Sequence, residues 1–280
     1  MKTTKGFTLI ELLVVIAIIA LLLAIIVPSL NTAKQMAGAA VCGSNARQIV
    51  TAWIVYAEDN DALLCSPYTL NYNPQDDDYD WVEARTSKVT VEDEIFGTDP
   101  GAATGDQGIV GGALYPYYEN PEAVHCPSDK RSNKPATDGS SKEGGYRTYS
   151  FVEHVGRQNN GSEYCHKISD IPSPGAKYVT VEENDCRGLN RGSWIMDRDD
   201  PSQPGLVDSF GIYHNMRSIL AFADGHAEKI VWKDDRTEEY SQDWFDGTVR
   251  QKNGGYHTTT AQETGNQDLA WLYSHYPTKR

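Results

Sequence analysis

The residue with the most unusual chemical setting in this sequence is Glu11, the only charged residue between Phe7 and Val27. A carboxylate at the apolar centre of a membrane costs about 2.5–3.5 kcal/mol, so something should compensate for it. A cut after Gly6 would give Phe7 a free amine and make Glu11 the fifth residue of the new chain. An amine on one subunit would then neutralise Glu11 on its neighbour and set the axial register of a helical bundle.

Cysteines and histidines supply the other groups that could bind metals or act as nucleophiles. The seven histidines show no helical metal spacing, and the five cysteines contain no CxxC pair, so spacing does not predict a zinc site. His125 and Cys126 would point to opposite faces of an extended strand, so we expect them not to act together. An exported head would permit one or two disulfides, with Cys165–Cys186 favoured for its short loop. The alternative, five free and partly buried thiols, stays open.

The hairpin region offers three further candidate ligands, His214, Asp224 and His226. Asp224 and Gly225 separate two strand-like runs over residues 217–232, which is the pattern of a type I′ hairpin. Asp224 would occupy the turn, and His214 would lie about 30 Å away at the far end of a straight first strand. We therefore expect an architectural hairpin and no metal site.

Catalytic motifs do not stand out anywhere in the sequence. It lacks the G-x-S-x-G, H-E-x-x-H, G-x-x-x-x-G-K and G-x-G-x-x-G patterns. Glu182 and Glu183 are adjacent, so their carboxylates should face apart on a strand. We therefore expect a protein that is not an enzyme, with no catalytic residue and no cofactor.

Composition limits the class of partner. The 280 residues carry a formal net charge of −14, and such an acidic surface repels nucleic acid, which we do not expect as a partner. The 6 Trp, 16 Tyr and 6 Phe are enough to build a packed core. The acidic run at residues 76–80 lacks the glycine of a calcium loop, which favours a solvated loop over a calcium site.

The element that must hold Glu11 is an apolar helix over residues 7–27, about 31 Å long, which matches a bilayer core. Lys2 and Lys5 precede it, so the positive-inside rule places Met1 in the cytoplasm and the chain after Pro28 outside. The alternatives are a secretory signal peptide and a plain anchor. The apolar run is long for a signal peptide and lacks an A-x-A site, and a plain anchor gives no reason for Glu11.

The same helix should continue after Pro28 as an amphipathic stem. Residues 29–60 contain no proline, and apolar or small residues recur there at spacings of 4, 3, 4 and 3, which is one face of a helix. We expect this stem helix to pack under the head and to bury five side chains: Cys42, Ala46, Ile49, Trp53 and Tyr56.

The string from Lys5 to Ile16 resembles the processing site of type IV pilins and type II secretion pseudopilins. In that family a prepilin peptidase cuts after the glycine and methylates the new phenylalanine amine. The resemblance gives these roles to Gly6 and Phe7, and it gives Glu11 a role in peptidase recognition and subunit pairing. Pro28 stands where pilin helices often bend.

Other segments resemble a large subgroup of pilin-like proteins whose C-terminal signature is His, nine residues, then Asp-Gly. His214, Asp224 and Gly225 match that signature, and residues 42–60 and 114–129 are similar to the same subgroup.

The resemblance implies an α+β, pilin-like fold in which a long, kinked N-terminal helix packs on a mostly antiparallel sheet. We also expect strands over residues 146–155 and 177–183. The expected domains are a leader (1–6), a transmembrane helix (7–28), a stem helix (29–60), an extracytoplasmic head (61–232), and a C-terminal extension that docks or adds edge strands (233–280).

The function implied is that of a non-enzymatic subunit of a type II secretion or type IV pilus-like filament. Its partners would be prepilin peptidase, other pilin-like subunits and inner-membrane lipid. The chain would cross the inner membrane once, with its N-terminus in the cytoplasm and its head in the periplasm or at the cell surface.

Two other functions stay open. One is a surface adhesin or glycan-binding protein with a pilin-type anchor, in which exposed Trp81, Trp194 and Trp244 would line a sugar platform. The other is an anchored, metal-dependent hydrolase with its metal at the hairpin.

Overall fold

The computed structural model describes residues 8–67, 80–82, 95, 108–131, 146–157, 161–184, 193–198, 204–245 and 265–279. Gly6 and Phe7, residues 76–79 of the acidic run, Cys186 and the side chain of Trp244 therefore lie outside the described part. The cleavage site, the calcium question and the Cys165–Cys186 pairing remain predictions. The domain boundaries remain predictions as well.

Helix α1 runs without interruption from Leu9 to Asp59. Thr8 caps it, because the Thr8 hydroxyl accepts from the Glu11 N–H at 3.3 Å while Glu11 Oε2 accepts from the Thr8 N–H at 2.8 Å. Pro28 lies inside the helix and cannot donate a backbone hydrogen bond to the preceding turn. The transmembrane and stem segments are thus one helix, and the kink at Pro28 remains a prediction.

The surroundings of α1 change along its length. From Leu9 to Leu30 its large apolar side chains are exposed, whereas from Ala39 onward one face is buried. The buried residues include all five that the spacing predicts for the stem: Cys42, Ala46, Ile49, Trp53 and Tyr56.

The stem half packs on a four-stranded antiparallel sheet of order β1-β2-β5-β6. Its strands are Tyr149–Phe151, Tyr178–Glu182, Arg217–Phe222 and Ala227–Val231. A separate two-stranded sheet pairs β3 (Met196–Asp197) with β4 (Gly205–Leu206). This layout confirms the α+β, pilin-like fold, although β1 and β2 are shorter than the sequence predicts.

Short helices precede and interrupt the sheet. Between the stem and β1 they are α2 (Gly108–Gly111), α3 (Tyr115–Tyr118) and the 3₁₀ turn Pro121–Val124, and between β1 and β2 they are the 3₁₀ turns Ile168–Asp170 and Pro174–Ala176.

The hairpin between β5 and β6 exists, but the predicted type I′ turn is wrong. Gly225 donates to the Phe222 carbonyl at 2.9 Å, and Phe222 donates to the His226 carbonyl at 2.9 Å, so the loop has three residues. Gly225 has φ +98°, whereas Asp224 is not among the residues with positive φ. The loop is therefore a type I turn followed by a left-handed glycine, which an Asp-Gly pair serves equally well.

The C-terminal part docks on the sheet through helices. Helix α4 spans Asp235–Phe245 and helix α5 spans Gln267–His275, so the expectation of edge strands is wrong for the described residues after 232. Asn266 caps α5 by accepting from the N–H groups of Asp268 and Leu269. The ring of Tyr178 in β2 stacks on Trp271 of α5, and its hydroxyl donates to the Leu272 carbonyl at 3.3 Å.

Candidate functional site

The first candidate site is the N-terminal turn of α1. The N–H and the hydroxyl of Thr8 both donate to Glu11 Oε2 at 2.8 Å, so the chain itself supplies two donors for this carboxylate. The helix that follows is the one helix among the described residues that is long and apolar enough to cross a membrane. It therefore fits a single membrane anchor that carries one acidic group near its start.

The second candidate site is a buried group of side chains that we call the Cys–His–Glu cluster: Cys42, Cys126, Glu182 and His214. Four separate parts of the chain supply it. Cys42 comes from the inward face of α1, Cys126 follows the 3₁₀ turn at 121–124, Glu182 ends β2, and His214 precedes β5. All four side chains are buried, and their ligand atoms lie within 4.8 Å of one another.

The distances within the cluster form a chain of contacts. Cys42 Sγ lies 2.6 Å from Cys126 Sγ, and Cys126 Sγ lies 3.5 Å from His214 Nε2. His214 Nε2 is 3.0 Å from Glu182 Oε1. The other carboxylate oxygen, Oε2, accepts from the Ile219 N–H at 2.7 Å. Glu182 is thus held between a backbone donor and the imidazole.

Electrostatics favour an ion pair between His214 and Glu182. Burial alone would lower the pKa of His214, but its contacts with Cys126 and the Glu182 carboxylate outweigh burial and raise that pKa to about 10. Burial is also the main reason why the pKa of the Cys126 thiol lies well above its usual range. At neutral pH these shifts make His214 an imidazolium and leave Cys126 as an uncharged thiol.

A buried polar network fixes the loop that carries Cys126. Asp129 accepts two hydrogen bonds from Arg131 Nε, at 3.1 and 3.0 Å, and one from the Thr148 hydroxyl at 2.9 Å. The Thr148 hydroxyl in turn accepts from the Cys126 N–H at 3.0 Å. The position of the Cys126 sulfur is therefore set by several directional bonds rather than by packing alone.

Spacing along the sequence did not predict the cluster, although each of its four members stands out for a separate reason. Cys42 was predicted as a core residue and His214 as part of a hairpin signature. Cys126 and Glu182 were considered only in relation to their neighbours His125 and Glu183. Because the donors come from distant segments, spacing along the chain could not predict the set. These four side chains nevertheless have the composition of a metal site. The expectation that the chain has no metal ligands therefore stays open.

Two sequence-based arguments about geometry are confirmed. His125 turns away from the cluster: its Nδ1 lies 2.6 Å from the Tyr146 carbonyl and its ring stacks on Tyr146. Glu182 and Glu183 face apart, because Glu183 accepts a short hydrogen bond from the Ser150 hydroxyl instead.

The hairpin residues form no joint metal site with His214. Asp224 Oδ1 lies 2.5 Å from His226 Nδ1 at the turn, and the His226 ring stacks on Phe222. His214 contacts Cys126 and Glu182 instead. The signature residues His214, Asp224 and Gly225 thus play separate parts, one in the cluster and two in the turn, and their family role stays a prediction.

The proposed sugar platform is contradicted at two of its three residues. Trp81 and Trp194 are both 0% exposed. Trp81 packs edge-on against Phe151 at 5.1 Å, and Trp194 lies 4.8 Å from Phe210. Both rings lie in the core, and the prediction that they are exposed is wrong.

Comparisons with known proteins support the N-terminal site. Residues 1–27 match the family described as the prokaryotic N-terminal methylation motif. The chain is 40% identical over 70 residues to the type IV wide pilus major component PilA4 of Thermus thermophilus, a match that covers 25% of this chain. The chain spans about half (53%) of the length of that relative. No solved structure matches significantly.

Proposed function

We propose that this chain, a type IV pilin-like protein, is matured by a prepilin peptidase and then joins a type II secretion-like or type IV pilus-like filament as a non-enzymatic subunit. One observation carries the proposal: the methylation-motif match at residues 1–27 coincides with a helix whose apolar half is exposed.

The apolar half of α1 needs a partner that the described part of the chain does not supply. Its large apolar side chains from Leu9 to Leu30 are exposed, and none of the 18 most apolar consecutive residues is buried. An exposed apolar surface of this size marks a membrane or protein interface. Lipid would cover it before assembly, and the equivalent helices of neighbouring subunits would cover it afterwards.

Glu11 supplies a specific contact on that otherwise apolar surface. Both Thr8 donors reach Oε2, and among the described residues Oε1 has no hydrogen bond. In a filament, Oε1 would accept from the amine of Phe7 on a neighbouring subunit. The pairing would fix how far one helix slides along the next, because an unpaired charge in an apolar environment is costly.

The proposed orientation follows from charge. Lys2 and Lys5 stand before the apolar helix, which favours a cytoplasmic N-terminus and a head in the periplasm or at the cell surface. The proposed partners are prepilin peptidase, other pilin-like subunits and membrane lipid, and the acidic head disfavours nucleic acid.

The rival functions receive no comparable support. The glycan-binding proposal loses two of its three exposed tryptophans, Trp81 and Trp194. A hydrolase would need a reactive group that a substrate can reach, whereas all four residues of the Cys–His–Glu cluster are buried.

Mass spectrometry of the N-terminal peptide, from protein purified out of native membranes, tests maturation. We expect a chain that begins at N-methylated Phe7. The Gly6→Ile variant should keep Met1, because the bulky side chain blocks the cut, while the matched leader variant Thr4→Ile should still be processed. An intact Met1 in the wild type would contradict the proposal, and a start beyond Pro28 would indicate a signal peptide.

A further inference from the structure

We infer that Cys42 and Cys126 form a disulfide that joins the stem half of α1 covalently to the head. The two residues are 84 positions apart in the sequence, yet their sulfurs face each other in the core, 2.6 Å apart. Both side chains are fully buried.

Both cysteines stand on well-fixed backbone. Cys42 lies inside a continuous helix, and the Tyr149 hydroxyl donates to its carbonyl at 3.0 Å. Cys126 is held through its N–H by Thr148, and the Asp129 N–H donates to its carbonyl at 2.8 Å. The facing sulfurs are therefore a property of the fold and not of two mobile side chains.

A metal ion is the competing occupant, and the sulfur spacing weighs against it. Zinc holds each thiolate at about 2.3 Å in a tetrahedral site, which places two sulfurs about 3.8 Å apart. The observed spacing would have to widen by about 1 Å between two fixed elements. His214 is also engaged, because its Nε2 lies 3.0 Å from Glu182 Oε1.

The Glu182 carboxylate has both oxygens engaged without a metal, whereas His214 Nδ1 is buried without a hydrogen-bond partner among the described residues. The imidazolium faces one carboxylate oxygen, and the Ile219 N–H satisfies the other. Cys126 Sγ lies at the edge of this pair, 3.5 Å from Nε2. A disulfide at that position adds no charge to the core, whereas two buried thiolates would need a cation.

The chemistry balances as a thiol–disulfide exchange. Two electrons and two protons pass from the two thiols to the disulfide of an exported disulfide-donating oxidoreductase, which is thereby reduced to a dithiol. One S–S bond forms between Cys42 and Cys126, through a mixed disulfide. Because both sulfurs are buried in the folded head, we expect the bond to form while the head folds after export.

Oxidation of this kind requires a head outside the cytoplasm, so the inference rests on the location given under the proposed function. Cys65 provides a matched control within the same core. It is 1% exposed, and no other described cysteine lies within bonding distance of it.

Peptide mapping tests the bond. The full-length chain would be taken from native membranes, denatured with an alkylating agent present, and digested with trypsin without reductant. We expect residues 35–47, which hold Cys42, linked to residues 89–130, which hold Cys126. Reduction should separate the two peptides. The peptide of residues 48–85, which holds Cys65, should be alkylated instead.

Variants and a second measurement separate the outcomes. Cys65→Ala should keep the linked peptides, and Cys126→Ala should leave Cys42 open to alkylation. Alkylated Cys42 and Cys126 in the wild type would overturn the disulfide, and one zinc per chain by elemental analysis would then identify a metal site. Protease treatment of spheroplasts reports the location: a digested head with alkylated thiols overturns the disulfide alone, and a protected head overturns the proposed location with it.

Discussion

The two halves of α1 have the same backbone and opposite surroundings. From Leu9 to Leu30 the helix is apolar on every side and exposed, whereas from Ala39 to Asp59 it is apolar along one stripe and buried there. Local hydrogen bonds form the helix in both halves, but among the described residues only the second half packs against the rest of the chain. Under the proposed function, lipid and then neighbouring subunits cover the first half.

Substitutions at Trp53 and Ile19 should give the largest difference in unfolding free energy between the two halves. Trp53→Ala should lower the free energy of unfolding of the head by about 3–5 kcal/mol, because it leaves a cavity against Phe151. Ile19→Ala should leave that energy nearly unchanged, since Ile19 is exposed. Denaturant titration of the detergent-solubilised chain measures both, and an equal loss for the two variants would break the comparison.

Glu11 tests whether the exposed half acts only in assembly. Glu11→Gln should weaken subunit pairing, because it leaves the partner amine unpaired in an apolar contact. The expected result is fewer and shorter filaments by electron microscopy. The stability of the head should not change. An unfolded head would contradict the view that the exposed half acts in assembly and the buried half in folding.

The proposed disulfide would increase the difference in stability between the two halves of α1, because Cys42 lies in the buried half. Reduction, or the Cys126→Ala variant, should lower the free energy of unfolding by about 2–4 kcal/mol. Cys65→Ala should cost only its cavity and should keep the sensitivity to reductant. A wild-type chain whose unfolding is unaffected by reductant would contradict this prediction.

The stability of the buried half should depend on alkaline pH through His214. Its pKa is raised from 6.5 to about 10 in the folded chain, so its contribution is complete below pH 6.5 and is lost as pH rises toward 10. One proton gives a slope of about 1.4 kcal/mol per pH unit at most. His214→Gln should remove the slope in denaturant titrations, and a slope that persists would assign the effect to another group.

A disulfide between Cys42 and Cys126 would narrow the pH range over which His214 stabilises the fold, because it would lower the upper end of that range. Cys126 is one of the groups that raise the pKa of His214, and its contribution falls when its sulfur is bonded to Cys42. The oxidised chain should therefore lose stability at a lower pH than the reduced chain. Titrations of both forms measure the difference.

Local patterns in the sequence were enough to predict the long helix, its buried stripe and the hairpin, and the resemblance to pilins added the antiparallel sheet. They were not enough for features that depend on chain segments meeting in space. The Cys–His–Glu cluster combines four distant segments, and the burial of Trp81 and Trp194 depends on neighbours such as Phe151 and Phe210. The turn type failed for a local reason, since Asp-Gly fits two loop geometries. Asn266 caps α5, and an asparagine at this position is a sequence signal that could have predicted the start of that helix.

Because α1 is unbroken, the axial position of a subunit in an assembly would be linked to the direction in which its head points. Between Glu11 and Cys42 the helix advances about 1.5 Å and turns about 100° per residue, so the direction of the head about the axis of α1 is tied to that of Glu11. An ion pair that sets the level of one subunit against the next would then also set which way each head points. Inserting a single residue in the exposed half would leave every contact within the head intact and swing the head through more than a quarter of a circle.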